Sequence, residues 1–350
     1  MIKEESSYDK YNYSIAFVKI LFSFFVICIH YWNMDDLRGV YFFDAVHRLM
    51  EVTVPVFLIM SFFLTTEIFT SKDKKKIKKR LVRLVIPFYM WGILYYIGYS
   101  CIDLFLGYKI NPDLSFNSLL WQITLGHSKE LCPPLWYLLD SIIISIVFWS
   151  IFKISDIFKW NLMLFLLVIS LGMQYSGINY RIFGRFQYEI CYPLGRLAEV
   201  FPYACIGMIV SASGCLKKLK SFRLYTFVIC ILSLLVVAYG NLFTRPEKGF
   251  AYGGTYMIVY ATLVFVLFYM IPFDKSPILI KKGLRTISKY SLGIYCIHLG
   301  VGYIWNNVFC DYFGWKQDIF VGCIAIFLIS LLFAWLISKI PFKCSKYIVE

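Results

Sequence analysis

Apolar segments long enough to cross a lipid bilayer recur along the whole chain. A membrane-spanning helix needs about 20 mostly apolar residues. The chain is 60% hydrophobic and 16% charged, whereas soluble domains are about 45–50% apolar and about 25% charged. The runs lack the alternation of barrel strands. We therefore predict an all-α, polytopic integral membrane protein of about ten transmembrane helices, near residues 13–32, 46–69, 81–106, 135–153, 160–176, 197–213, 222–243, 253–272, 289–309 and 317–338.

The basic residues between these segments predict the orientation of the chain. The strongest basic cluster is SKDKKKIKKR at 71–80, and further Lys and Arg residues lie near 153–159, 217–223 and 275–289. Positively charged loops remain on the cytoplasmic side of membranes, which predicts that both termini are cytoplasmic. The net charge of +14 is then a consequence of topology in a plasma or inner membrane, in contact with lipids, and does not indicate nucleic acid.

The rest of the sequence gives no sign of a second domain or of a metal site. We find no internal repeat and no separate soluble region, so residues 1–350 are predicted to form one transmembrane domain. The 11 cysteines form no CxxC pair and no zinc-ligand spacing, so we expect no metal cofactor.

Two ionisable residues lie within the first apolar segment. Lys19 and His30 are eleven residues apart, which is close to three helical turns, so both side chains face the same way, roughly 16 Å apart along the axis. Ionisable residues inside a membrane span are functional candidates. Spacing alone leaves another interpretation open, in which Lys19 extends to the inner headgroups and His30 lies at the outer interface.

The third segment also carries a charge beyond its start. Arg83 lies within the apolar run and precedes Pro87 by four residues. It is either part of a site or an ordinary anchor at the cytoplasmic end of a helix.

The first two segments resemble the membrane acyltransferase family 3, bacterial enzymes that acylate surface glycans. The family pattern of an arginine, ten residues and a histidine matches Lys19 and His30, with lysine in place of arginine. The family also has a phenylalanine, three residues and Ser-Gly. Phe57 and Ser61 match this pattern, but Phe62 stands where glycine is usual.

Later segments carry further matches in the family's order. They are Arg83 with Pro87, the pair Leu135–Trp136, and the run Ser291–Tyr295 followed by His298. The departures at Lys19 and Phe62 indicate a divergent member.

The resemblance implies transfer of an acyl group, most often acetyl, from cytoplasmic acyl-CoA to a hydroxyl of a cell-surface or lipid-linked glycan. Lys19, Arg83 and Ser61 are then the donor-binding candidates, since cations bind the CoA phosphates. His30 is the candidate general base, because a neutral imidazole accepts a proton near pH 7. The oligomeric state is not predicted.

A histidine base works better with an orienting carboxylate. Glu51, at the outer start of the second segment, is our first candidate for this carboxylate. The interpretation of Glu51 as an ordinary residue at the membrane interface is equally open. The other outer candidates are Asp35, Asp36, Asp140 and Glu199. His298 is interpreted as a packing or hydrogen-bonding residue. The alternative function is a transporter or flippase of a lipid-linked glycan.

The predicted topology is testable by cysteine labelling. In a chain without its native cysteines, Lys75→Cys should react only from the cytoplasmic side, because residues 71–80 are predicted to lie there. A cysteine within 177–196 should react with a membrane-impermeant reagent added outside. Labelling of position 75 from outside would contradict this orientation.

Overall fold

The computed structural model describes most of the chain, and only these parts are discussed below. They are residues 11–31, 50–106, 114–126, 133–154, 158–175, 192–244, 252, 254–312, 319–341 and 345–349. Within them the secondary structure is helical, without strands.

The helices are numbered in chain order. They are α1 Tyr13–Tyr31, α2 Thr53–Thr70, α3 Lys74–Leu106, α4 Phe116–Leu125, α5 Trp136–Ile154, α6 Lys159–Tyr175, α7 Tyr192–Ser213, α8 Cys215–Ser221, α9 Arg223–Thr244, α10 Thr255–Met270, α11 Ile278–Ser288, α12 Ser291–Ile304, α13 Ile319–Lys339 and α14 Ser345–Val349. A π-helical turn, Trp305–Tyr312, continues α12.

Several of these helices have the length and apolarity of membrane spans. Among the described residues six qualify, and a seventh is added if the segment Gly195–Ser213 and α8, bent by 63°, form one span. The all-α membrane architecture is therefore confirmed. Helices also occupy the other predicted segments, but the number of about ten and the side of each terminus remain predictions.

The basic cluster at 71–80 is helical over most of its length, which corrects its description as a loop. Helix α3 begins at Lys74, where the Asp73 carboxylate accepts hydrogen bonds from two backbone N–H groups of the first turn. Ile77 and Arg80 are buried while the lysines around them are exposed. The first turns therefore present one face to the protein and a cationic face to its surroundings.

Helix α1 lies at the centre of the structure. It packs against α2, α10, α11, α12 and α13. Its buried residues include Phe22, Val26 and Ile27. This arrangement places Lys19 half-buried among the helices and leaves His30, near the end of α1, exposed to a cavity.

Helices α2 and α7 pack closely because Gly207 has no side chain. A β-carbon at this position would overlap the carbonyl oxygen of Ile59 on α2. The neighbouring backbone cannot move aside as a flexible side chain would. The α2–α7 contact in turn fixes the helix that carries Ser61.

Gly207→Ala should therefore destabilise the protein, by about 1–3 kcal/mol, as other overpacked contacts do. The measurement is thermal unfolding of the protein in detergent, followed by size-exclusion chromatography with fluorescence detection. Gly172→Ala on α6 is the matched control, because a β-carbon there meets nothing within 4 Å. Equal melting temperatures for both variants would contradict the close approach of α2 and α7.

Candidate functional site

Two cavities lie along the contact between α1 and α12. The first, of about 230 Å³, is lined by Lys19 and is called the lysine cavity. The second, of about 260 Å³, is lined by His30 and is called the histidine cavity. Because α1 is one uninterrupted helix, the rise of roughly 16 Å between the two residues applies to the folded protein.

The lysine cavity brings together two of the predicted donor-binding residues. Lys19 from α1 and Ser61 from α2 both line it, together with Tyr137 from α5 and Tyr295 from α12. Arg83, the third predicted residue, is exposed on α3 and does not line the cavity. The next residue, Leu84, does line the cavity, so Arg83 lies beside it.

Arg80 is a buried cation that the sequence analysis missed. Its Nε donates to Ser145 Oγ at 2.9 Å, and its Nη2 donates to Ser61 Oγ at 3.2 Å. The guanidinium lies 4.7 Å from the centre of the Phe62 ring, within the range of a cation–π interaction. No carboxylate in the described parts of the chain pairs with Arg80.

Arg80 contacts Phe62, one of the residues that depart from the pattern described above. Phe62, which stands where glycine is usual, supplies the aromatic face beneath the guanidinium. Arg80 and Arg83 are three residues apart, so in a helix both lie within one turn. This spacing could have indicated from the sequence that Arg80 lies close to Arg83. It was overlooked because Arg80 ends a run of basic residues that resembles a loop.

The histidine cavity brings His30 next to a second imidazole. His30 is exposed to the cavity, and the His298 ring centre on α12 lies 5.4 Å away. His298 is only 2% exposed and makes a 2.6 Å hydrogen bond through Nδ1 with the Tyr295 carbonyl oxygen. It therefore forms the hydrogen bond that the sequence analysis expected, and it also lines the same cavity as His30.

One turn of α12 separates the two cavities. Tyr295 lines the lysine cavity and His298 lines the histidine cavity, with their ring centres 6.0 Å apart. The Tyr295 hydroxyl donates to the Pro134 carbonyl oxygen at 2.5 Å, and its ring lies 5.5 Å from that of Tyr137. Aromatic side chains on this turn therefore lie between the part of α12 that lines one cavity and the part that lines the other.

The expected orienting carboxylate does not appear among the described residues that line the histidine cavity. No Asp or Glu from the described ranges lines the histidine cavity, and Glu51 lies half-buried before α2, outside the lining. Asp140 is completely buried and accepts two hydrogen bonds from Arg196, at 2.9 and 3.1 Å. Asp35 and Asp36 lie outside the described residues.

The Asp140–Arg196 pair has a packing role. Asp140 lies on α5 and Arg196 on α7, and the guanidinium also lies 5.0 Å from the centre of the Trp136 ring. A charged group buried at membrane depth needs such a partner. The pair therefore joins two helices and leaves no carboxylate oxygen directed at a histidine.

No metal centre is formed by the part of the chain that the structure describes. No group of three or more His, Cys, Asp and Glu side chains there is arranged to hold an ion.

Comparison with known proteins agrees with the motifs and with the helical membrane architecture. No curated protein and no solved structure matches the chain. The model of one protein family, described as an acyltransferase domain, matches residues 12–339. This match covers α1 to α13, including both cavities. The chain therefore belongs to the membrane acyltransferase family 3 and is an acyltransferase.

Proposed function

We propose that the protein transfers an acyl group, in the simplest case acetyl, from cytoplasmic acyl-CoA to a hydroxyl of a cell-surface or lipid-linked glycan on the outer side of the membrane. The observation that supports this most is that Lys19 and His30 line two cavities along one face of α1. The family membership favours this reading over transport of a lipid-linked glycan, the alternative from the sequence.

The lysine cavity has the charge needed to hold the donor. Lys19, Arg80 and Arg83 lie in or beside it without a carboxylate partner among the described residues. A buried cation without a counter-ion is costly, and phosphate oxygens compensate such charges well through charge-assisted hydrogen bonds. The CoA phosphates are therefore proposed to bind at this end, with Ser61 as a further hydroxyl in the cavity.

The acyl group must then reach the histidine cavity. The distance along α1 is roughly 16 Å, comparable to an extended pantetheine arm. The aromatic boundary at Tyr295 is the segment that the thioester has to pass. We propose that the arm passes between α1 and α12, the two helices that both cavities share.

His30 is proposed to act as the general base. Its neutral imidazole accepts the proton of the acceptor hydroxyl while the oxygen attacks the thioester carbon. The C–S bond then breaks, and the protonated imidazole returns the proton to the departing CoA sulfur. The net change is an ester on the glycan and free CoA.

The donor site is tested by Lys19→Ala and Arg83→Ala. Each should raise the Kd for CoA about tenfold or more, because a hydrogen bond to a charged group contributes about 1.5–3 kcal/mol. Lys19→Arg should keep most of the binding, since it restores the family's usual residue. The measurement is calorimetric titration of purified protein with CoA and with CoA lacking its 3′-phosphate.

Lys339→Ala is the matched control, since it removes an exposed cation at the end of α13, outside the cavity. It should leave the Kd unchanged. CoA binding of wild-type strength by both Lys19→Ala and Arg83→Ala would place the donor elsewhere.

The base is tested by His30→Gln, which keeps polarity and approximate size but removes the proton acceptor. Acyl transfer should fall by about 10²–10⁴-fold, the usual contribution of general-base assistance. The measurement is transfer of radiolabelled acetyl from acetyl-CoA to a glycan extract. CoA binding should be unchanged, which shows that the variant is folded. Activity within a few-fold of wild type would refute this mechanism.

A further inference from the structure

His298 carries a buried nitrogen that has no hydrogen-bond partner in the described structure. The atom is Nε2, which is inaccessible to solvent. A buried polar atom without a partner costs free energy, and such atoms are rare in folded proteins. We therefore expect His298 Nε2 to have a hydrogen-bond partner in the working protein.

The protonation of the His298 ring follows from its other nitrogen. Nδ1 lies 2.6 Å from the Tyr295 carbonyl oxygen. A carbonyl oxygen can only accept a hydrogen bond, so Nδ1 must carry the hydrogen. In the neutral imidazole, Nε2 then has a lone pair and can only accept.

Among the described residues, His30 is the histidine that lies beside His298 and can donate to this lone pair. The two ring centres are 5.4 Å apart and the ring planes are inclined by 38°. An N–H···N hydrogen bond of about 3 Å between the edges of two imidazoles requires about this separation. His30 is exposed to the cavity, whereas His298 Nε2 is shielded, so an acceptor substrate meets His30 first.

We propose that His298 is the positioning residue for His30, accepting a hydrogen bond from one His30 nitrogen so that the other faces the acceptor hydroxyl. This inference rests on the proposed function of His30 as the base. It assigns to an imidazole the orienting part that a carboxylate has in a Ser-His-Asp triad, in a cavity whose described lining holds no carboxylate. The Tyr295 carbonyl fixes His298, and His298 fixes His30.

The arrangement also connects the base to the boundary between the cavities. Tyr295 contributes its carbonyl oxygen to His298 and its side chain to the lysine cavity. The orientation of His30 is thus tied to the turn of α12 that the thioester passes.

The first test compares two amide substitutions at one position. His298→Gln places its amide close to the former Nε2 position, where its oxygen can accept from His30. His298→Asn is shorter, so its amide lies near the former Nδ1 position and does not reach. We expect His298→Asn to lower kcat for acetyl transfer about tenfold or more, as losses of orienting partners of histidines do, with an unchanged KM for acetyl-CoA. His298→Gln should keep most of kcat.

If His30→Gln is inactive but His298→Asn has the kcat of wild type, His30 is the base and the positioning role of His298 is refuted. If His30→Gln is itself active, the proposed function of His30 fails. The activity of His30→Gln thus distinguishes the two failures. A parallel loss in both amide variants would show a packing role for His298 and would also overturn the proposal.

The second test needs no variant at position 298 and so does not depend on its folding. The chain has only 4 histidines, so ¹⁵N-labelled imidazoles of the whole protein are resolvable by NMR, with His30→Gln to assign one set of signals. The proposal predicts one fixed neutral tautomer for His30 and the Nδ1–H tautomer for His298. An averaged pair of tautomers for His30 would contradict it.

Discussion

The uninterrupted course of α1 through the bundle is the constraint on which the site depends. Its helical rise fixes the distance between an ammonium group and an imidazole, and its contact with α12 gives both groups a cavity on the same face. A kink between Lys19 and His30 would alter both the distance and the common direction. Neighbouring helices hold α1 on several sides, so packing maintains this geometry.

The electrostatics of the lysine cavity follow from how its cations are held. Arg80 has hydroxyl oxygens and an aromatic face as partners, but these groups carry no full negative charge. The guanidinium is thus oriented without being neutralised. Together with Lys19 it leaves positive charge beside a cavity, which is a suitable arrangement for an anionic ligand that binds and leaves.

The features that follow from local geometry could be predicted from the sequence. Helical periodicity alone placed Lys19 and His30 on one face, and length and apolarity alone predicted a helical membrane protein. The family motif added Ser61, which lines the cavity with Lys19.

The features that depend on contacts between distant helices could not be predicted. The burial of Arg80 depends on Ser145, 65 residues away. The approach of His298 to His30 depends on the packing of α12 against α1. No sequence pattern within either helix indicates which residues of the other helix it will contact. Glu51 was chosen because it follows the His30 segment in sequence. It does not line the histidine cavity, and its orienting role stays a prediction.

Vectorial transfer is the central claim, and proteoliposomes with one defined protein orientation test it most directly. Radiolabelled acetyl-CoA would be supplied on the side of the basic run 71–80, and a glycan extract would be enclosed on the other side. The account predicts labelled glycan in the lumen, while the released CoA remains on the donor side. Transfer only when donor and glycan share one compartment would contradict it.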